Sequence, residues 1–237
     1  MDWFPPPAPA TYQPYAHIAD LAQLGQGLGW GINYALMAYI SHRDQTYGMS
    51  VLPLCCNFAW EITYAVVYPP HNPIERFNVT LYLVLNVFIM AGAVRFAPRE
   101  WAHAPFVQRN LFRIFTSATL IFLLAHIALA KTVGVGRAAN WGAFFCLDFL
   151  VAGAWCQLLG RGSSRGASYG IWASRFIGSY VSAISVELRR MHWPEAFGWL
   201  EWPMVRWHMV VCVLLDVGYV LMLRHVKKKE QKARKES

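Results

Sequence analysis

The sequence predicts an all-α integral membrane protein, a bundle of seven transmembrane helices. Of its 237 residues, 56% are hydrophobic and only 14% are charged. The apolar residues fall in runs of roughly 18 to 22, which is the length that a helix needs to cross the hydrocarbon core of a bilayer. Composition and run length together therefore indicate a membrane-embedded chain.

The apolar runs divide the chain into a short tail, a transmembrane domain and a basic tail, at residues 1–17, 18–223 and 224–237. Because the connectors are short, we expect no separate soluble domain. The N-terminus lacks a basic region followed by an apolar stretch, so the first span should act as its own insertion signal. The seven expected spans are 18–40, 50–68, 77–95, 111–130, 140–159, 168–187 and 203–223.

The distribution of Lys and Arg predicts the orientation. The connectors after spans 1, 3 and 5 and the C-terminal tail are rich in these residues, whereas the opposite side holds Arg76, Lys131, Arg137, Arg189 and Arg190. Positive residues favour the cytoplasm, so the sequence places the N-terminus in the lumen and the C-terminus in the cytoplasm. The net charge of +8 is then mostly a topology signal and not a nucleic-acid site.

Two carboxylates stand alone in apolar spans: Glu61 in span 2 and Asp216 in span 7. An acid in a low-dielectric interior costs several kcal/mol or stays neutral, so its presence suggests a use. Helical spacing places Asn57 and Tyr64 on the face of Glu61, and Tyr219 one turn from Asp216. The structural alternative is a protonated acid that donates a hydrogen bond between helices.

Two further charges lie in spans 5 and 6, where Asp148 and Arg175 sit at depths that the long arginine side chain could bridge. We expect a structural ion pair between them, with a substrate contact as the alternative. His126 and His208 are single histidines on apolar faces, and structural roles are expected for both.

Several absences narrow the chemistry. The five cysteines lie inside predicted spans without metal-ligand spacing to the histidines, so we expect neither a disulfide framework nor a metal site. No Asp-Asp pair is present to hold magnesium and a diphosphate, and no Gly-x-x-x-x-Gly-Lys loop is present. Span 7 has no lysine for a retinal Schiff base.

Motifs along nearly the whole chain are similar to those of one known family. They are Tyr47-Gly-Met, Leu52-Pro-Leu-Cys-Cys-Asn-Phe-Ala-Trp-Glu-Ile62, Gln108-Arg-Asn110, Arg161-Gly-Ser-Ser-Arg-Gly-Ala-Ser168, Trp193-Pro-Glu-Ala-Phe197 and Asp216. The chain resembles the small integral-membrane terpene cyclases of fungal meroterpenoid and indole-diterpene pathways, of the paspaline and pyripyropene type.

The resemblance implies an enzyme without a cofactor that cyclises a polyprenyl chain bearing a terminal epoxide. Glu61 and Asp216 match the two acids of that family and are the predicted catalytic residues. The implied setting is the endoplasmic reticulum, where an upstream prenyltransferase and epoxidase could associate with the enzyme. The hydrophobic substrate could enter from the bilayer.

Physical reasoning agrees with that chemistry. A carboxyl group that an apolar cavity keeps protonated can act as a general acid on the epoxide oxygen. Aromatic faces can then stabilise the migrating cation, and exclusion of water prevents its capture. The residues predicted to line the substrate site are Asn57, Trp60, Tyr64, Trp141, Trp172 and Tyr219.

Two other functions fit part of the pattern. A proton-coupled small-molecule carrier would use the same intramembrane acids, although no internal repeat and no matched pair of broken spans supports it. A receptor is weakened by short connectors and tails, which leave little surface for a cytoplasmic partner.

Overall fold

The computed structural model describes residues 3–4 and 7–236, and the described chain is helical with no strand. Seven helices have 12 or more residues, and an eighth, α7, has four. The helices are α1 (Ala16–Asp44), α2 (Val51–Ile62), α3 (Pro73–Glu100), α4 (Pro105–Val133), α5 (Val135–Arg161), α6 (Tyr169–His192), α7 (Pro194–Phe197) and α8 (Pro203–Glu236).

Four of these helices, α3, α4, α5 and α8, are long and apolar enough to cross a bilayer. The shorter apolar segment Val51–Val67 covers most of the second predicted span. Large apolar side chains such as Leu120, Ile121 and Leu124 point outward from α4, as expected for a surface that faces lipid. The protein is therefore a helical membrane protein.

Helix α2 is enclosed by the rest of the bundle. It packs against α3, α4 and α5, while α1 packs against α6 and α3, and α8 against α5 and α6. Most residues of α2 are buried, including Leu54, Cys55, Ala59 and Glu61. Most residues of α2 therefore pack against protein, whereas Leu52 near its start is 48% exposed.

The end of α2 departs from regular α-helix directly after Glu61. Residues Thr63–Val67 form a π-helical turn, which ends where Tyr68 donates its backbone N–H to the carbonyl of Thr63 at 2.8 Å. Two prolines follow, at positions 69 and 70, and stop the helix. Single π-turns are frequent at functional sites, and this one re-aims the chain next to the buried acid.

Local chemistry explains several of the other boundaries. Asn72 caps α3 by accepting hydrogen bonds from the backbone N–H groups of Ile74 and Glu75, at 2.9 and 3.2 Å, with Pro73 at the first helical position. Ser168 caps α6 through the N–H of Ile171 at 3.0 Å. Gly162 ends α5 with φ of 58°, a conformation that costs glycine little.

Apart from α2, the long helices among the described residues are longer than the predicted apolar spans. The segment predicted as a basic tail, 224–237, continues α8 without a break as far as Glu236. The predicted connector after span 6 folds into α7 and a 3₁₀ turn, Gly198–Glu201. Hydropathy locates only the apolar part of a helix, so polar extensions beyond the hydrocarbon are invisible to it.

Candidate active site

Glu61 lies at the centre of a hydrogen-bond network between three helices. Its Oε1 accepts from the hydroxyl of Tyr34 on α1 at 2.7 Å and from the side-chain amide of Asn57 on α2 at 3.1 Å. Its Oε2 accepts from the side-chain amide of Asn86 on α3 at 2.8 Å. Asn57 also donates to the hydroxyl of Tyr34. Three donors thus converge on one fully buried carboxyl group.

Tyr34 and Asn57 separate this carboxyl group from the large internal cavity of the protein. Both residues line the cavity, whereas Glu61 has 0% exposure and lies behind them. Tyr34 and Asn57 thus connect Glu61 to the residues that line the cavity.

Asp216, by contrast, lies in the cavity wall and is paired with a charge. Its carboxylate accepts a hydrogen bond from the guanidinium of Arg175 on α6, and both side chains are 1% exposed. The guanidinium also lies over the ring of Tyr219, 5.5 Å from its centroid. Arginine remains protonated in proteins, so the charge of Asp216 is compensated inside the bundle.

The expected ion pair between Asp148 and Arg175 is wrong, because each residue has another partner. Arg175 binds Asp216, and Asp148 contacts Nδ1 of His208 at 2.7 Å. Depth along the helices does not show whether Arg175 pairs with Asp148 on α5 or with Asp216 on α8. The rotation of α5 and α8 about their axes decides the pairing, and that rotation follows from packing.

The cavity has a volume of about 310 Å³ and lies between α1, α2, α3, α5, α6 and α8. Most of its wall is apolar or aromatic, and this part includes Trp30, Tyr34, Trp60, Phe144 and Tyr180. Trp3 and Phe4 of the N-terminal segment also reach it. A cavity of this size and character suits a small hydrophobic ligand.

Two of the six predicted substrate-binding residues, Asn57 and Trp60, lie in the cavity wall. The other four lie outside the residues that line the cavity. Tyr64 packs against Trp60, with ring centroids 5.2 Å apart. Trp172 donates its indole N–H to the backbone carbonyl of Asp216 at 3.0 Å.

Trp141 packs against Trp199 and Trp202, with centroids 6.1 and 5.7 Å away, and Tyr219 contacts Arg175. Tyr64, Trp172 and Tyr219 thus support residues of the cavity wall or of the acid sites. Trp141 on α5 belongs to an aromatic cluster with two tryptophans of the segment between α7 and α8.

Three residues that bind the acids were not predicted in that role from the sequence. Tyr34 and Asn86 bind Glu61, and Arg175 binds Asp216. Asn86 carried a usable signal, because it is an isolated amide in an otherwise apolar stretch of the third span. Tyr34 carried none, since a tyrosine in a membrane helix is ordinary.

A second polar cluster lies next to the cavity. The ligand atoms of Cys56, His126 and Cys146, on α2, α4 and α5, all lie within 4.8 Å of one another. All three residues are buried, and Cys146 also lines the cavity. No spacing in the sequence predicted this grouping, because the three helices bring it together from distant positions.

Comparison with known proteins assigns the chain to a family. Residues 5–229 match the model of the Pyr4-like transmembrane terpene cyclases. The chain belongs to this family. The terpene cyclase pyr4 of Aspergillus fumigatus is 53% identical over 228 residues, which are 96% of this chain and 95% of the relative.

Other relatives are also similar in sequence to the cyclase over nearly its whole length. The terpene cyclase paxB of Penicillium paxilli is 47% identical over 94% of this chain and 92% of its own length. The terpene cyclase cdmG of Talaromyces verruculosus is 45% identical over 98% of this chain and 97% of its own. No solved structure matches the cyclase. The predicted family and the predicted class of enzyme are thus confirmed.

Proposed function

We propose that this cyclase protonates the terminal epoxide of a polyprenylated substrate of the meroterpenoid or indole-diterpene kind and guides the resulting cation to a polycyclic product. The observation that carries the proposal is an apolar and aromatic cavity with two different carboxyl groups, one behind a tyrosine hydroxyl and one paired with arginine. A polar group at each side of a hydrophobic cavity suits a reaction that begins and ends with proton transfer.

Glu61 supplies the proton, and the hydroxyl of Tyr34 delivers it. In this step the hydroxyl of Tyr34 turns its hydrogen from Oε1 of Glu61 to the epoxide oxygen and accepts a hydrogen bond from the protonated carboxyl group. As the epoxide oxygen takes the phenolic proton, the C–O bond to the tertiary carbon breaks, and Glu61 gives its proton to Tyr34. The carboxylate that remains on Glu61 is stabilised by the amides of Asn57 and Asn86, which already donate to its oxygens. Preorganised donors of this kind lower the barrier because they need no reorientation during the reaction.

Asp216 has the complementary role. As the carboxylate of an ion pair in the cavity wall, it offers negative charge to the cation without an available proton of its own. It can stabilise a late cation and accept the proton whose loss forms the final double bond. Arg175 and the indole of Trp172 hold it in place.

The aromatic wall protects the intermediates between these two steps. The rings of Trp30, Trp60, Phe144 and Tyr180 line the cavity and present faces that attract cations without forming bonds. Successive double bonds of the prenyl chain attack in turn when the chain is held folded. The shape of the cavity then selects the ring pattern.

The experiment that tests the proposal uses microsomes that contain the cyclase and an epoxyprenyl aromatic or polyketide-derived substrate. We expect a cyclic isomer of unchanged mass, formed without ATP or added magnesium and identified by its ring connectivity. The corresponding prenyl compound without the epoxide is the matched control and should remain unchanged. Cyclisation of both compounds at similar rates would rule out epoxide protonation.

We also propose the topology that the sequence predicts: seven spans, a lumenal N-terminus and a cytoplasmic C-terminus, in the endoplasmic reticulum. Support comes from seven helices of at least 12 residues and from the excess of Lys and Arg on one side. Association with the prenyltransferase and epoxidase that supply the substrate would shorten the path of a lipid-soluble intermediate.

The family match favours the cyclase over the proton-coupled carrier that was the alternative. A carrier also needs the acids to be reached in turn from both faces of the membrane. Glu61 is fully buried behind Tyr34 and Asn57, an arrangement that suits an acid serving a single cavity.

A further inference from the structure

The cluster of Cys56, His126 and Cys146 has a geometry that the cyclisation chemistry does not require. Sγ of Cys56 lies 3.6 Å from Sγ of Cys146 and 3.8 Å from Nε2 of His126. The three residues come from three different helices and are separated by 20 or more positions along the chain. We propose that they bind a zinc ion that joins α2, α4 and α5.

The distances between the ligand atoms fit this metal. Zinc binds thiolate sulfur at about 2.3 Å and imidazole nitrogen at about 2.0–2.1 Å in tetrahedral sites, which places two sulfurs about 3.7 Å apart and a sulfur and a nitrogen about 3.5 Å apart. The observed separations of 3.6 and 3.8 Å agree with both values. All three ligand atoms lie within 4.8 Å of one another, so the approach of His126 and Cys146 toward a shared ion would complete the set.

Charge balance also favours zinc in this position. Two thiolates neutralise Zn²⁺, and a neutral imidazole adds no charge, so the complete site can be buried without a net charge. All three residues are at most 5% exposed. A monovalent copper ion with the same ligands would leave one negative charge in an apolar interior, which costs considerably more.

Tyr64 provides a second observation at the same place. Its hydroxyl oxygen is buried and has no hydrogen-bond partner among the described residues. Its ring packs against that of His126, with centroids 6.4 Å apart. A buried oxygen without a partner is costly, and a water molecule in the fourth position of the zinc ion would give this hydroxyl a hydrogen-bond partner while leaving the site neutral.

The site lies next to the proposed acid. Cys56 directly precedes Asn57, the residue that donates to both Glu61 and Tyr34. Because α2 is buried on nearly every side, a metal bound at Cys56 would fix the rotation of this helix and hence the direction of the carboxyl group. The role is structural positioning, and no step of the reaction passes through the metal.

The test measures metal in the purified full-length protein. After extraction in detergent without chelators, inductively coupled plasma mass spectrometry should find about one zinc per chain. Cys56→Ser, Cys146→Ser and His126→Ala should each lower this content at least tenfold. Cys55→Ser is the matched control, since Cys55 is the buried neighbour of Cys56 but donates to the carbonyl of Phe115 on α4; it should keep the metal.

A second measurement keeps the test decisive if purification removes zinc or a variant fails to fold. Wild-type protein titrated with Co²⁺ should develop thiolate-to-cobalt charge-transfer bands, and these bands should disappear when zinc is added. Folded, active wild-type protein with neither zinc nor cobalt bands would overturn the proposal. So would a disulfide between Cys56 and Cys146 in the native protein, detected by mass spectrometry of unreduced peptides.

Discussion

The two buried carboxyl groups differ because their neighbours differ. Glu61 meets only neutral donors, a phenol and two amides, whereas Asp216 meets the guanidinium of Arg175. Glu61 therefore has no charged partner among these contacts, whereas Asp216 shares an ion pair with Arg175. The two acids look alike in the sequence but have different chemical environments, and this difference supports the separate roles proposed for them.

Replacing either acid by its amide should remove most of the activity. We expect Glu61→Gln and Asp216→Asn each to lower the initial rate in microsomes by about 100-fold or more, since general acid–base groups contribute roughly 10²–10⁴. Rates are normalised to the amount of protein on immunoblots. Glu236→Gln, an exposed position at the end of α8, is the control. Full activity in both amide variants would remove these acids from the mechanism.

Substitution of Tyr34 tests whether its hydroxyl passes a proton from Glu61 or only packs beside it. Tyr34→Phe keeps the ring but removes the hydroxyl that bonds to Glu61, so we expect kcat to fall roughly 10- to 1,000-fold with little change in KM. Tyr39→Phe is matched, because Tyr39 lies on the same helix and is 64% exposed; it should behave as wild type. An unchanged kcat in Tyr34→Phe would show that Glu61 acts without this hydroxyl.

At the scale of the helices, two kinds of contact hold the cavity walls in register. Polar links connect α6 to α8 through Arg175 and Asp216, and close backbone contact joins α1 to α6. A Cβ atom on Gly29 of α1 would lie 2.6 Å from Cα of Gly178 on α6. Small residues let membrane helices approach closely, and here they set the width of the cavity between those helices.

The close contact between α1 and α6 predicts that a larger side chain at Gly29 disturbs their packing. Gly29→Ala should destabilise the protein by about 1–3 kcal/mol, because the new methyl group meets the backbone of α6. The loss is measured as a lower temperature of aggregation in detergent, followed by fluorescence-detected size-exclusion chromatography. Gly160→Ala in α5 meets no atom within 4 Å and should not lower that temperature. Equal effects at the two positions would argue against the tight contact between α1 and α6.

The ion pair between α6 and α8 predicts that substitutions of its two residues have non-additive effects on stability. Arg175→Met leaves Asp216 buried without its partner, which costs on the order of 3–5 kcal/mol. The double variant Arg175→Met with Asp216→Asn should recover most of the lost thermal stability but none of the activity. A double-mutant cycle on the aggregation temperature checks this, and strict additivity would contradict the pairing.

For the whole molecule, the arrangement of the described helices forms the large cavity proposed as the reaction site. Six helices contribute to the cavity wall, and α2 carries Glu61 into the interior of the bundle. The N-terminal segment closes part of the cavity, since Phe4 packs on Phe197 with centroids 4.6 Å apart and both Trp3 and Phe4 line the cavity. Exclusion of water from such a cavity protects a cation from premature capture.

The proposed topology can be tested on sealed microsomes. A tag after the C-terminus should be removed by added protease, whereas a tag at the N-terminus should be cleaved only after the membrane is opened by detergent. A glycosylation acceptor placed in each tag is an independent check, and only the N-terminal one should be modified. Modification of both tags would require an even number of spans.

Sequence patterns predicted the helical membrane fold because hydrophobicity and run length are local properties. The isolated acids Glu61 and Asp216 were also visible, since a charge within an apolar run stands out whatever surrounds it. Motifs spread along the chain indicated the family that the comparisons confirmed. The roles of the two acids, as distinct from their presence, could not be predicted in this way.

Only the tertiary structure decided which side chains meet. The rotation of each helix about its axis pairs Arg175 with Asp216 and not with Asp148. It also places Tyr34 between Glu61 and the cavity. The same packing brings Cys56, His126 and Cys146 together. These contacts join residues far apart in the chain, and their energies depend on packing between helices, which no single segment contains. The sequence by itself determined a membrane bundle with two buried acids, and packing determined the chemical environment of each.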